Sequence, residues 1–187
     1  MCEVILVTSR DVFRIPRKLV RKYHTRDPFV LAERLGVIVK FCADFVKQRG
    51  ASAIILGNRV IFINSNLSEQ MQRMVCAHEL GHLLLHKATY GKEAWVLNHE
   101  LFDITNDLEY EANVFAANLL IEDEVMFDYF EDGYSIVATA SGLDVNVNLL
   151  VLKVVEMNKQ QGFNFQVSDV PDRAFMGSIP DSQSYDW

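Results

Sequence analysis

Two histidines four positions apart, with a glutamate directly after the first, form the run His78-Glu79-Leu80-Gly81-His82. On a helix, residues at this spacing project from one face a turn apart, so both imidazoles can reach a single ion. Zinc accepts neutral imidazole nitrogen, and a catalytic zinc site adds one further protein ligand while keeping a position for water. Glu79 is placed to take a proton from that water and pass it to a leaving amine, while the ion lowers the water's pKa and polarises the scissile carbonyl. The pattern thus points to hydrolysis of a peptide bond with Zn2+ as cofactor. Leu80, Leu83, Leu84 and Leu85 show that the helix is partly buried, where imidazoles need partners and a metal provides one.

The third ligand has to come from elsewhere. His86 lies on the same face as His82, but a straight helix carries it about 12 Å along the axis from His78, too far to share the ion. The arrangement in which a third histidine follows the second by six residues needs an intervening glycine; Ala88 stands at that position and no such glycine occurs. A second helix over residues 107–120 offers Glu109 and Glu111, about 160° apart around its axis. Glu111 shares a face with Phe115 and Asn118 and adjoins the small Ala112, which would let the two helices approach; it is the favoured ligand, with Glu109 the alternative. A ligating histidine donates its other N–H, and Asp103 or Asp107 could accept it. Tyr90, His99 and Tyr110 are candidates for stabilising an oxyanion.

The elements that must hold these groups can be read around them. Residues 16–23 have helical spacing of Leu19, Val20 and Tyr23. Asp27 as N-cap with Pro28 at the first position begins a helix that stops at Gly36, and a strand follows over 37–41. Two apolar runs, 53–56 and 60–63, flank Gly57-Asn58 and read as an antiparallel hairpin. Ser68 opens the motif helix, which is expected to reach Lys87. Beyond the Ala-rich helix come short helices through Phe130 and over 136–140, a longer one over 146–159, a last strand over 161–167, and a tail from 171.

The 187 residues are half apolar and 23% charged, a globular composition without a run long enough to span a bilayer. No secretory leader is recognisable. Three cysteines without a C-x-x-C pair indicate free thiols in a reducing compartment, so the expected location is cytoplasmic, and Cys76, turned away from His78, reads as core. A net charge of −7 disfavours direct nucleic-acid binding. The basic residues from Arg14 to Arg26 read as a solvated helix face. Ser141-Gly142-Leu143 sits between helices as in a helix-turn-helix, but only Lys153 and Lys159 lie nearby to meet phosphates.

At these residues the sequence strongly resembles the ImmA/IrrE family of zinc metallopeptidases, through the segment from Cys76 to His86 and the segment Glu109-Tyr110-Glu111-Ala112-Asn113-Val114-Phe115-Ala116-Ala117 that follows it. Similarity extends over about residues 12–122. The resemblance implies a zincin-like α+β fold, a small antiparallel or mixed sheet packed on helices with the H-E-x-x-H motif on a central helix. It implies His78, His82 and Glu111 as ligands and Glu79 as catalytic acid and base. It also implies a protein substrate, a helix-turn-helix repressor of a phage, mobile element or stress regulon. A zincin with a glutamate ligand often carries an aspartate four residues later to orient the first histidine; counted from Glu111, that position is Phe115. The expected organisation is a zincin-like core over 1–125, a helical extension packed on it over 126–170, and the tail over 171–187. The competing function is a non-proteolytic antirepressor or antitoxin-like protein retaining a structural zinc.

Overall fold

In a computed structural model, residues 11–86, 95–96 and 107–161 are described. The element order is α1 (Asp11–Tyr23), α2 (Pro28–Arg34), β1 (Val37–Cys42), β2 (Gly50–Ile55), β3 (Asn58–Asn64), α3 (Glu69–Leu85), β4 (Trp95–Val96), α4 (Asp107–Leu120), α5 (Asp123–Glu131), α6 (Ile136–Gly142) and α7 (Val147–Gln161). The caps follow the sequence signals. The Asp27 carboxylate accepts from the Phe29 and Val30 amides at 2.8 and 3.3 Å, Ser68 caps α3 through the Met71 amide, and Gly36 leaves α2 at φ +67°. The first helix begins five residues before the expected Pro16, which lies inside it. The motif helix ends at Leu85, two residues before the expected Lys87, with His86 as its C-cap. The strand expected over 161–167 and the tail lie outside the described residues, apart from Gln161, which closes α7.

The sheet has strand order β1-β3-β2-β4, with β1 and β3 parallel and the other pairs antiparallel. This is the zincin-like α+β arrangement, with the mixed sheet laid on the motif helix. The hairpin turn falls one residue earlier than the Gly57-Asn58 pair implied. Ile55 pairs with Asn58, and the loop residues Leu56 and Gly57 both adopt positive φ (+49° and +79°). Two such residues in succession match the right-handed twist of the strands, and here the register overrides leucine's reluctance to occupy that conformation. Register partners share a face, so Gly50 and Ser52 of β2 stand beside Ile63 and Ile61 of β3, and this face lies over α3. A Cβ on Gly50 would come within 2.3 Å of Val75 Cγ1, so only glycine lets the start of β2 cross the helix this closely.

One apolar cluster joins α1, α2, the sheet, α3, α4 and α7, from Val12 through Ile61, Leu80 and Phe115 to Met157. The α7 residues Leu149, Leu150, Leu152 and Val154 are buried in it, so the second helix of the apparent helix-turn-helix is a core helix, bent 113° from α6. No single described helix is long and apolar enough to cross a membrane.

The basic residues near the N-terminus divide between solvent and structure. Arg26 donates to the carbonyls of Asn118 (3.4 Å), Leu119 (3.0 Å) and Ile121 (3.5 Å), capping the C-terminus of α4 where a cation is favoured. Arg17 reaches Asp123 at 3.0 Å, and the buried Lys153 ammonium joins Asp123, Asn118 Oδ1 (3.1 Å) and the Ile121 carbonyl (3.3 Å). Burial pushes the Asp123 carboxyl up, but Lys153 and Arg17 outweigh it and hold the group below its ordinary value of 3.8. A carboxyl with a depressed folded pKa contributes stability that is present above the unfolded value and lost as pH falls through the folded one. Asp123→Asn is therefore expected to destabilise the protein by about 1–3 kcal/mol at pH 7 while leaving a shallower decline below about pH 4, read from urea midpoints across pH. Parallel acid limbs in the two proteins would show that Asp123 contributes nothing to acid unfolding.

Candidate metal centre

The motif helix α3 carries His78, Glu79 and His82 into the interior, where all three are at most 2% exposed. Sequence favours this because Ala77, Leu80, Gly81 and Leu83 bury the turns around them against the sheet and α4. Among the described residues, His78, His82 and Glu109 are brought together with one donor atom each, all within 4.8 Å of one another. The two Nε2 atoms are 2.9 Å apart, and each lies 3.3 Å from an oxygen of Glu109. A tetrahedral ion with bonds of about 2.0–2.1 Å requires neighbouring ligand atoms about 3.3–3.4 Å apart. Two imidazole nitrogens and a carboxylate converging at nearly that spacing fit a divalent ion such as zinc.

The structure places Glu109 in this group and leaves Glu111 out of it. Helix α4 turns the stripe Glu109, Ala112, Asn113 and Ala116 toward α3, the spacing of one helical face. Gly81 fixes that choice: a Cβ there would lie 3.2 Å from both Ala112 Cα and Phe115 Cδ1, so the backbones are in near contact at Ala112. Ala112 does admit the close approach expected of it, but it shares its face with Glu109, three residues before it, and not with Glu111. The Glu111 side chain is 27% exposed and accepts from His86 Nε2 at 3.0 Å.

An acceptor for the other ring nitrogen of His78 stands on the same helix as Glu109. Four residues on stands Asn113, whose Oδ1 is 3.0 Å from His78 Nδ1. An amide oxygen only accepts, so His78 holds its proton on Nδ1 and presents the Nε2 lone pair to the site. Spacing in the sequence pointed away from Asn113, because the residue four after Glu111 is Phe115 and the acceptor sought there was an aspartate. Asp107 is exposed at the start of α4, and Asp103 lies outside the described residues. Of the oxyanion candidates, Tyr110 is committed to α7, donating to Glu156 and accepting from Lys159 at 3.1 Å; Tyr90 and His99 lie outside the described residues.

Glu79 is not one of the three residues of the ligand triangle. Its Oε2 accepts from Ser52 Oγ of β2 at 2.7 Å, and both residues are buried. Ser52 carried no sequence signal, since its relation to Glu79 arises only from the sheet crossing α3. His86 is 3.1 Å from His82 through their Nδ1 atoms. Burial holds it below its ordinary pKa despite the Glu111 carboxylate beside it. Cys76 is a packed core thiol, pushed far above its usual pKa by burial.

A mixed sheet laid over a helix that presents H-E-x-x-H, with a carboxylate supplied by a following helix, defines a metallopeptidase-type domain. The profile of the peptidase family M78, the IrrE N-terminal-like domain, matches residues 32–150, and the chain belongs to that family. It is also 34% identical over 113 residues to the uncharacterized immunity region protein 2 of Bacillus phage phi105, covering 60% of this chain and 70% of that protein.

Proposed function

We propose that the chain is a zinc-dependent endopeptidase in which His78, His82 and Glu109 hold the ion and Glu79 is the general base and acid. The observation that carries this reading is Glu79 itself, a buried carboxylate beside the ligand set, held by Ser52 and not needed for coordination. A purely structural zinc has no use for such a group. Bound zinc would supply Lewis acidity, lowering the pKa of a water and polarising the scissile carbonyl. Glu79 takes the proton from the attacking water and delivers it to the departing amine. Asn113 holds His78 in the tautomer that leaves Nε2 free for the ion, and Ser52 holds the Glu79 carboxylate in place.

The substrate we propose is a protein, a helix-turn-helix repressor of a phage, mobile element or stress regulon, met in the cytoplasm. The phage relative's name as an immunity region protein supports that setting. Residues 1–125 would form the catalytic core and 126–170 an extension packed on it, in keeping with α7 lying against α4. The test is co-expression with the repressor encoded beside the gene, reading repressor size and reporter expression with and without a cell-permeable zinc chelator. Chelator-sensitive appearance of two repressor fragments supports proteolysis. Derepression with the repressor intact and bound to this chain would overturn it in favour of a non-proteolytic antirepressor.

Ser52→Ala is expected to lower kcat on that substrate roughly 10-fold, the lower end for losing a hydrogen bond to a charged group, with KM and zinc content little changed. An unchanged kcat would show that Glu79 needs no help from β2.

A further inference from the structure

We propose that His86 and Glu111 are positioning residues that fix the tautomer and ring orientation of His82 through a directed hydrogen-bond chain, an inference that rests on reading His78, His82 and Glu109 as metal ligands. The contacts run Glu111 Oε2 to His86 Nε2 at 3.0 Å, His86 Nδ1 to His82 Nδ1 at 3.1 Å, and His82 Nε2 into the ligand triangle. An N···N contact between two imidazoles is a hydrogen bond only when one nitrogen carries hydrogen and the other a lone pair. Two directions are therefore conceivable for neutral rings, and the groups at the ends decide between them.

At the outer end the ionised carboxylate of Glu111 can only accept, so His86 carries its proton on Nε2 and offers a lone pair at Nδ1. His82 must then donate from Nδ1, which leaves its Nε2 lone pair for the ion. In the reverse direction His82 would be protonated on Nε2, the atom 2.9 Å from His78 Nε2 and 3.3 Å from Glu109 Oε1, and coordination would be blocked. The two ligand histidines are thus oriented by different devices. His78 relies on the amide of Asn113 within the α3–α4 contact, whereas His82 relies on a chain that ends at a partly exposed carboxylate.

This also accounts for both glutamates of the α4 motif, one in the ligand set and the other acting on it through two imidazoles. The experiment measures zinc affinity by competition with a chromophoric chelator and the visible absorption of the cobalt-substituted protein. Wild type, His86→Leu, Glu111→Leu and Glu111→Gln are compared, with the thermal midpoint of each metal-free protein as the control for folding. Both leucine variants are expected to bind zinc about 10- to 100-fold more weakly and to show altered cobalt bands, without a lower metal-free midpoint for Glu111→Leu. Glu111→Gln, which keeps an accepting oxygen, should recover most of the affinity. Wild-type affinity and spectrum in Glu111→Leu would overturn the proposal. Failure of the wild-type chain to bind zinc at all would instead overturn the metal reading beneath it.

Discussion

Replacing Glu79 by glutamine is expected to lower peptide-bond cleavage about 10³-fold, within the 10²–10⁴ range of general acid–base catalysis, while zinc content and folding stay as in wild type. The two side chains are isosteric, and the glutamine oxygen can still accept from Ser52 Oγ, so the contact between β2 and α3 persists. What is lost is the capacity to take up a proton. Because Glu79 is outside the ligand triangle, metal affinity should not follow activity downward. Single-turnover rates on purified repressor, with metal analysis of the same samples, separate the two quantities. A variant that cleaves at the wild-type rate would remove Glu79 from the mechanism. One that loses its zinc would place it among the ligands.

The second large effect distinguishes the two glutamates of α4. Glu109→Ala should weaken zinc by more than the roughly 10- to 100-fold typical of losing an outer hydrogen-bonding partner, because it removes a ligand and its charge. Metal binding stabilises the folded chain by mass action, about 4 kcal/mol when free zinc stands 1,000-fold above the dissociation constant. In a domain of this size that corresponds to a rise of roughly 8–16 °C in thermal midpoint. Glu109→Ala is expected to lose most of that rise at the same zinc concentration, and Glu111→Ala to keep a substantial part. Without metal, Glu109→Ala should be no less stable than expected for the small cavity it leaves, since a buried carboxylate is itself costly. The reverse ranking of the two variants would restore Glu111 as the ligand.

Local signals located most of the elements. Asp27-Pro28 placed the start of α2, Ser68 that of α3, and the alanine-rich stretch the whole of α4 over 107–120, because capping and apolar periodicity are properties of neighbouring residues. The turn at Leu56-Gly57 was displaced by one residue because strand register, a tertiary property, prevailed over residue preference. The same division runs through the site. His78, Glu79 and His82 lie within one helical turn and are readable from spacing alone. Choosing between Glu109 and Glu111 requires knowing which face of α4 meets α3, and the informative residue was Gly81, on the other helix. Asn113 was within reach of the four-residue rule once Glu109 was the origin. Ser52 was not, since nothing in its neighbours foretells a buried carboxylate from another element.

Gly81 also governs how near the proposed ligand Glu109 can come to the two imidazoles. Alanine at this position would gain roughly 1 kcal/mol of intrinsic helix preference, yet its methyl would act as a shim between the two helices, wedged against the Ala112 backbone and the Phe115 ring. The glycine therefore sets the bite of the site, and its cost in helix preference is offset by reach. A graded series of larger side chains at position 81 would draw the Glu109 oxygen away from the two imidazoles in small steps, turning one interhelical contact into a dial for metal affinity.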